Sequence, residues 1–518
     1  MRDRIHMLPL VFSLLLMAGL MLIQGDCIQE DAFISFRYAA NLLDGHGLTY
    51  NPGERVEGYT NFLWTVMLAG AMALGADPAA AARTMGFVAA LVLCGVVIRT
   101  ARLARPGNRW AGLVAVALLA GTPGFAAEAV QGLETVWFAL LVTVGVVTAV
   151  RALECRVPRR AAGLSAWSAL ALILAALTRP EGVGVLLLVV AGAWYVSRRG
   201  ATPCRRWLAI AAGAFVLVYL PYWWLRFDYY GYPLPNTFYA KTGGGLHHLL
   251  RGLAYLGRFL LHHPAVAALS LAAAPSLRAL RERDVRPAIA VPCFVTCGYL
   301  IYVALVGGDF KETWRFVLPV LPLWALVLDA WAVGAVARRG PASSRVAWGL
   351  VAVAMFNALP STPGTLRWSR HRVRDLERRT VCGEWLRDNA PPGVTLAIHS
   401  AGIVPFVSGL RTIDMWGLND LHIAHRRMPG MGRTRPAGHE KSDYGYVFGL
   451  GPTYILPRGW AMVTDAPYRG LKGAMFPGVD AWVEYGERYR ERHVPLPPAP
   501  GEAAPRYFNF VELSSSSE

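Results

Sequence analysis

Long apolar runs separated by short polar turns occupy most of the chain up to Pro360, and their lengths predict membrane-crossing helices. A helix needs roughly 20 mostly apolar residues to cross a bilayer. On that measure the runs at 7–23, 84–103, 110–126, 135–150, 162–178, 182–196, 207–224, 264–280, 288–306, 316–335 and 346–360 give about eleven crossings. The run from Asn61 to Gly75 is shorter and reads as a segment lying along, or dipping into, the membrane surface. Arg2 and Arg4 precede the first run, as they would in a cleaved signal peptide, but no small-x-small cleavage site follows. That run is therefore read as a retained span with a cytoplasmic N-terminus.

The polar turns sort by charge. With this threading the arginines within Arg99–Arg109, Arg151–Arg160, Arg198–Arg206, Arg278–Arg286 and Arg338–Arg345 all fall on the cytoplasmic side, as the positive-inside rule requires. Counting Asn61–Gly75 as a full crossing would invert every later cluster. The opposite, outer face receives the acid- and aromatic-rich loop after the first span (25–83), the turn with Glu128 and Glu134, Thr178–Glu181, Arg226–Lys241 and Gly307–Arg315.

Beyond Pro360 the long apolar runs stop. Val373–Arg387 has the spacing of an amphipathic helix, Val394–Ser400 and Arg411–Gly417 read as strands, and Ala401–Gly409 reads as a helical turn between them. The expected fold class is thus a polytopic α-helical membrane protein (1–360) with a C-terminal soluble α/β domain on the outer side (361–518). The end of the chain from Pro495 is rich in proline, alanine and serine, and its SSSSE tail is expected to be disordered.

Composition agrees: 54% of residues are hydrophobic and 16% charged. The net charge of +17 does not indicate nucleic acid, because the arginines lie between apolar runs instead of forming one basic face. The seven cysteines show neither a disulfide framework nor zinc spacing, although Cys27 and Cys382 would share an oxidising side. No P-loop, HExxH or paired CxxC occurs.

The candidate chemistry gathers on the outer face. Glu30 and Asp31 follow the first span and open an amphipathic segment, so Asp31 is either a helix N-cap or a general base. Transfer of a sugar from a lipid phosphate needs such a base for the acceptor hydroxyl and positive charge at the leaving phosphate. Arg315, Arg179 and Lys311 are the candidates for the phosphate. Glu57, Tyr59, His46, Asp309, Lys241 and His439 are candidates for the sugar and acceptor. The acids on this face are compatible with a divalent cation, while arginine alone would also neutralise a phosphate.

The blocks EDAFISFRYAANLLDGHGLTYNPGERVEGYTNFLW, GLET, LTRPEG, YYGYPLPNTFYAK, GGDF, GLNDLHIAH and GHEK resemble, in order, the GT-C membrane glycosyltransferases. The nearest branch is that of the terminal arabinofuranosyltransferases of mycobacterial cell-wall arabinan. The resemblance implies inverting transfer of a sugar from a polyprenyl-phosphate donor to a glycan or glycolipid on the outer face of the cytoplasmic membrane. It places the base at Asp31, with Glu30 and Phe33 standing where the family more often has aspartate and tyrosine. A transporter or lipid flippase is the rival reading. Such proteins carry ionisable residues at the membrane midplane and internal repeats, whereas this chain keeps its acids at span ends and shows no repeat.

Overall fold

A computed structural model describes residues 8–108, 110–199, 204–281, 286–337, 348–349, 351–352, 355–433, 438–471, 486–498 and 504–514. Arg2, Arg4, Arg109, Arg283, Arg338, Arg339, Arg345 and all of the SSSSE tail after Ser514 lie outside the described residues.

The apolar runs form helices, as their length and composition require. After α1 (Leu8–Ile23) come α2 (Glu30–Leu43), α3 (Phe62–Ala73) and α4 (Pro78–Ala104). At 12 residues α3 is about 18 Å long, well short of a bilayer core, and agrees with a surface or re-entrant element. Six helices among the described residues are long and apolar enough to cross a membrane: α4, α7 (Thr135–Glu154), α8 (Pro158–Thr178), α9 (Glu181–Arg198), α10 (Arg205–Tyr230) and α14 (Pro287–Leu305). The chain is a multi-pass membrane protein, as expected.

Two expected spans are bent. The run at 110–126 splits into α5 (Leu113–Ala120) and α6 (Pro123–Val130) at 70° to each other, broken at Gly121–Thr122 ahead of Pro123. The run at 264–280 is one arm of a pair in which α12 (Gly245–His262) meets α13 (Pro264–Ala273) at 98°, again at a proline. Glu128 therefore does not project from an outer turn. It sits on α6, fully buried. Between α10 and α12 lies a short helix, α11 (Asn236–Lys241), and α15 (Leu321–Ala337) follows α14.

The boundary at residue 360 falls inside a helix. α16 (Ala358–Asn389) runs as one helix of 32 residues from the membrane part into the soluble one, with Pro363 inside it near its start. The soluble domain is then built on a mixed sheet. β1 (Thr395–Ile398) pairs in parallel with β2 (Arg411–Asp414) across the short helix α17 (Ile403–Ser408), which is the strand–turn–strand unit read from the sequence. On its other edge β1 pairs in parallel with β3 (Tyr454–Ile455). Between β2 and β3 lie α18 (Leu421–His425) and α19 (Tyr444–Gly449), and β4 (Val463–Thr464) follows. The chain end is not an unstructured extension as far as residue 513. β5 (Tyr489–Leu496) and β6 (Arg506–Leu513) form an antiparallel hairpin, and β6 also pairs with β3 and β4, so it lies inside the sheet. Phe508, Asn509, Phe510 and Val511 of β6 are all buried, so this strand is covered on both faces. Cys27 and Cys382 are both free and buried.

One placement governs the site. α2 does not lie on the membrane surface with one face free. Residues Ala32–Ala39 are all buried, because the helix is clamped between the membrane part and the soluble domain. Phe33 and Phe36 pack edge-on against Phe406 of α17. The Arg37 guanidinium donates to the carbonyls of Tyr50, Pro405 and Leu410, and the Tyr50 hydroxyl donates to the carbonyl of Ala401. A buried guanidinium is tolerable only when its donors are satisfied in this way.

Candidate active site

The first turn of α2 carries both acids. Gln29 occupies the N-cap position, so Asp31 is not the cap, and the two carboxylates instead sit where the helix dipole favours negative charge. They point to different partners. Glu30 turns toward the soluble domain: its Oε1 accepts from the backbone N–H groups of Gly402 and Ile403 at 2.8 and 3.1 Å, and its Oε2 lies 2.7 Å from Arg379 Nη1. The approach is close, since a Cβ on Gly402 would stand 2.1 Å from the Glu30 carbonyl oxygen.

Asp31 turns toward the membrane part. Its Oδ2 accepts from Lys311 Nζ at 2.8 Å and from Arg315 Nη1 at 3.1 Å, and Arg315 Nε donates to Asp309. Lys311 Nζ also donates to Gln29 Oε1 at 2.5 Å. The Asp31 side chain is 42% exposed while Lys311 is 5% and Arg315 10% exposed, so the carboxylate is the reachable member of the cluster. It opens into a cavity of about 400 Å³ lined also by Glu30, Phe310, Lys311, Trp416 and His439. Burial pushes the Asp31 carboxyl up, but Lys311 and Arg315 overcome it and hold the group well below its ordinary range. Asp309 is lowered against the same burial, chiefly by Arg315.

Lys241, at the end of α11, is the third cation. Burial and the neighbouring Arg315 pull its ammonium down, while Asp31 and Asp309 raise it. Among the described residues it pairs directly with no carboxylate, unlike Lys311 and Arg315. The His439 ring packs on Trp416 (3.9 Å between centroids) and Phe310 (4.8 Å), and burial lowers its pKa to about 4, so it is neutral at neutral pH.

The loop that carries Asp309, Lys311 and Arg315 is held from behind by Glu128. This buried carboxylate accepts from Thr313 Oγ1 at 2.7 Å, Gln29 Nε2 at 2.8 Å and Thr135 Oγ1 at 2.8 Å. α6 also touches the loop through Gly124, where a Cβ would meet the Thr313 carbonyl oxygen at 2.2 Å. Asp31 and Asp309 are both engaged by cations, and among the described residues no three His, Cys, Asp or Glu side chains converge as a metal-ligand set. The arrangement does not fit a divalent cation.

The structure therefore brings together Asp31, Glu30, Asp309, Lys311, Arg315, Lys241 and His439. The four other candidates are engaged elsewhere or stand apart from this cluster's ion pairs. Arg179 pairs with Glu134 at 2.8 Å and with Glu181 at 2.7 Å, which raise its pKa further despite burial, and it approaches the same Phe316 ring as Arg315, at 5.8 and 5.5 Å. Glu57 forms a buried two-point ion pair with Arg226 at 2.9 and 2.5 Å. Tyr59 packs among Tyr38 and Tyr230. His46 is exposed on its loop. None of these four lines the cavity. Sequence reasoning missed Gln29, the role of Glu128, and the arginines of α16. The only signal for Gln29 was its place beside the acid pair, and Arg372, Arg378 and Arg379 looked like the polar face of an amphipathic helix.

The architecture has a solved counterpart. The structure is similar over 98% of both chains, with a TM-score of 0.59 at 14% identity, to ArnT from Cupriavidus metallidurans, solved bound to undecaprenyl phosphate. The chain shares that fold over nearly its whole length. Two curated relatives of the chain carry the name terminal β-(1→2)-arabinofuranosyltransferase. That of Mycobacterium tuberculosis is 28% identical over 59% of the chain, and that of Corynebacterium glutamicum is 30% identical over 58%. The matches cover 52% and 47% of those relatives, so the chain spans about half the length of the proteins it matches. Residues 367–494 match a domain family of unknown function (DUF8728), which takes in most of α16 and the soluble domain as far as β5.

Proposed function

We propose that this chain is an inverting glycosyltransferase that moves a sugar from a polyprenyl-phosphate donor to a cell-envelope glycan or glycolipid. The transfer takes place on the outer face of the cytoplasmic membrane. Arabinofuranose, the sugar in the names of the sequence relatives, is the first donor sugar to test. The observation that carries the proposal is the half-exposed Asp31 carboxylate facing a cavity, with Lys311 and Arg315 behind it.

In the transfer, the acceptor oxygen attacks the anomeric carbon, the bond from that carbon to the phosphate oxygen breaks, and the acceptor proton passes to Asp31. The leaving polyprenyl phosphate takes the electron pair of the broken bond. A carboxylate held by two cations is a poor base. A donor phosphate that draws Lys311 and Arg315 onto itself makes Asp31 more basic as the donor binds, and Lys241 is the cation free to receive that phosphate first. Arg315 suits this exchange because a guanidinium can serve two oxyanions through separate N–H groups.

Purified protein with a panel of polyprenyl-phosphate sugars and an envelope glycan fraction tests the proposal. Transfer by the wild type and its loss in Asp31→Asn are expected. Full activity of Asp31→Asn removes Asp31 from the role of base, and no transfer from any donor favours the transporter reading.

A further inference from the structure

A second pocket, of about 460 Å³, lies beside the first and is lined by Tyr232, Leu421, His422, His425, Arg426 and Asp443. Two ring stacks form its walls. His425 stacks on Tyr239 at 4.4 Å between centroids and lies 4.7 Å from Tyr232. His422 stacks on Tyr446 at 4.0 Å. His422 and His425 are both exposed, so these rings do not serve a core. The charges of the pocket are already matched: Asp443 Oδ2 lies 2.6 Å from Arg426 Nη1 and 3.0 Å from His422 Nε2. An anion would have to displace Asp443, whereas a neutral polyhydroxyl compound can share its hydrogen bonds and lay its C–H faces on the rings.

The pocket is tied to the first cavity by two segments. Trp416 and Leu418 line the Asp31 cavity, and Leu421 and His422 line the second pocket. Only Asn419 and Asp420 separate Leu418 from Leu421, so their Cα atoms lie at most about 11 Å apart. α11 begins four residues after Tyr232, carries Tyr239 in its middle, and ends at Lys241. It is fixed to the first segment by Asn236, whose Nδ2 donates to the carbonyls of Gly417, Leu418 and Asp420 at 3.0, 3.0 and 3.1 Å.

We propose that this pocket is a glycan subsite: it holds a sugar residue of the acceptor chain distant from the hydroxyl presented to Asp31. The proposal rests on the transfer reading above and adds to it that the acceptor is an oligosaccharide chain, recognised over more than one residue.

Binding of an arabinofuranosyl hexasaccharide and a glucosyl hexasaccharide to the purified full chain, measured by saturation-transfer NMR, tests it without requiring transfer. The wild type is expected to bind at least one of them. Tyr232→Ala and His425→Ala should each weaken binding by about tenfold, the scale of one lost stacking partner. His425→Phe keeps the ring and should retain binding. Unchanged affinity in both alanine variants, or no binding of either hexasaccharide by the wild type, overturns the subsite. Weakened binding in the alanine variants of a protein that transfers no sugar from any donor would leave the subsite standing and remove the transferase reading. Active transfer with unaltered glycan affinity in the variants would do the reverse.

Discussion

Glu30 and Asp31 are adjacent acids of equal charge, and their different surroundings give them different expected phenotypes. Asp31 faces the cavity, so Asp31→Asn should lower turnover by about 10²–10⁴-fold, the usual range for a lost general base, while the protein stays folded. Glu30 is tied to Arg379 and to two backbone N–H groups, and its removal leaves the buried guanidinium with only the longer contact to Asp375, at 3.9 Å. Glu30→Ala should cost about 3 kcal/mol of stability, seen as a lower thermal midpoint, because breaking one side of a buried pair is strongly destabilising. His439 supplies a pH signature. Its pKa is about 4 in the folded chain against an ordinary 6.5, so the unfolded chain takes up the proton first as pH falls. Stability should therefore decline between pH 6.5 and about 4, and the dependence of the thermal midpoint on pH should flatten in His439→Gln. The sequence showed that Asp31 and Glu30 were special because no comparable cluster of acids follows another apolar run. It could not separate their roles, since what differs is the partner each meets across more than 270 residues of chain: Lys311 for one and Arg379 for the other.

At the scale of elements, the helices whose apolar runs stand alone were legible, and the broken ones were not. Hydropathy averages over the turn at Gly121–Thr122 and over His263, so a bent pair reads as one span. The cost of that blind spot fell on the site, because α6 is the element that supports the Asp309–Arg315 loop. Gly124→Ala would force α6 away from Thr313, and transfer should fall although Gly124 touches no substrate. Circular dichroism should show the helix content retained. α16 makes the same point in the other direction, since its polar face hid a continuous rod beneath an apparent domain boundary. A proline at Val373, a half-exposed position in mid-helix, should cost about 3 kcal/mol and shift the basic residues that rim the cavity.

For the whole molecule, the alternation of basic and acidic turns carried the fold class, and it also makes the orientation testable. In a chain with its native cysteines replaced, a cysteine at the exposed position His46 should react with an impermeant maleimide in intact cells, and one at the exposed position Arg159 should not. The reverse pattern would invert the proposed topology. The strands of the soluble domain were legible where they alternate around a short helix. β6 was not, because a strand that returns from the far end of the chain to the middle of a sheet is a long-range pairing with no local signature.

The first turn of α2 joins these scales. One peptide bond separates a carboxylate that latches the soluble domain, at Gly402 and Arg379, from a carboxylate that meets the membrane-side cations Lys311 and Arg315. The two halves are consequently not interchangeable modules. A chimera that grafts the soluble domain of one relative onto the helices of another would reset the tilt of α2 and, with it, the reach of Asp31, unless the Glu30 latch is carried across as well.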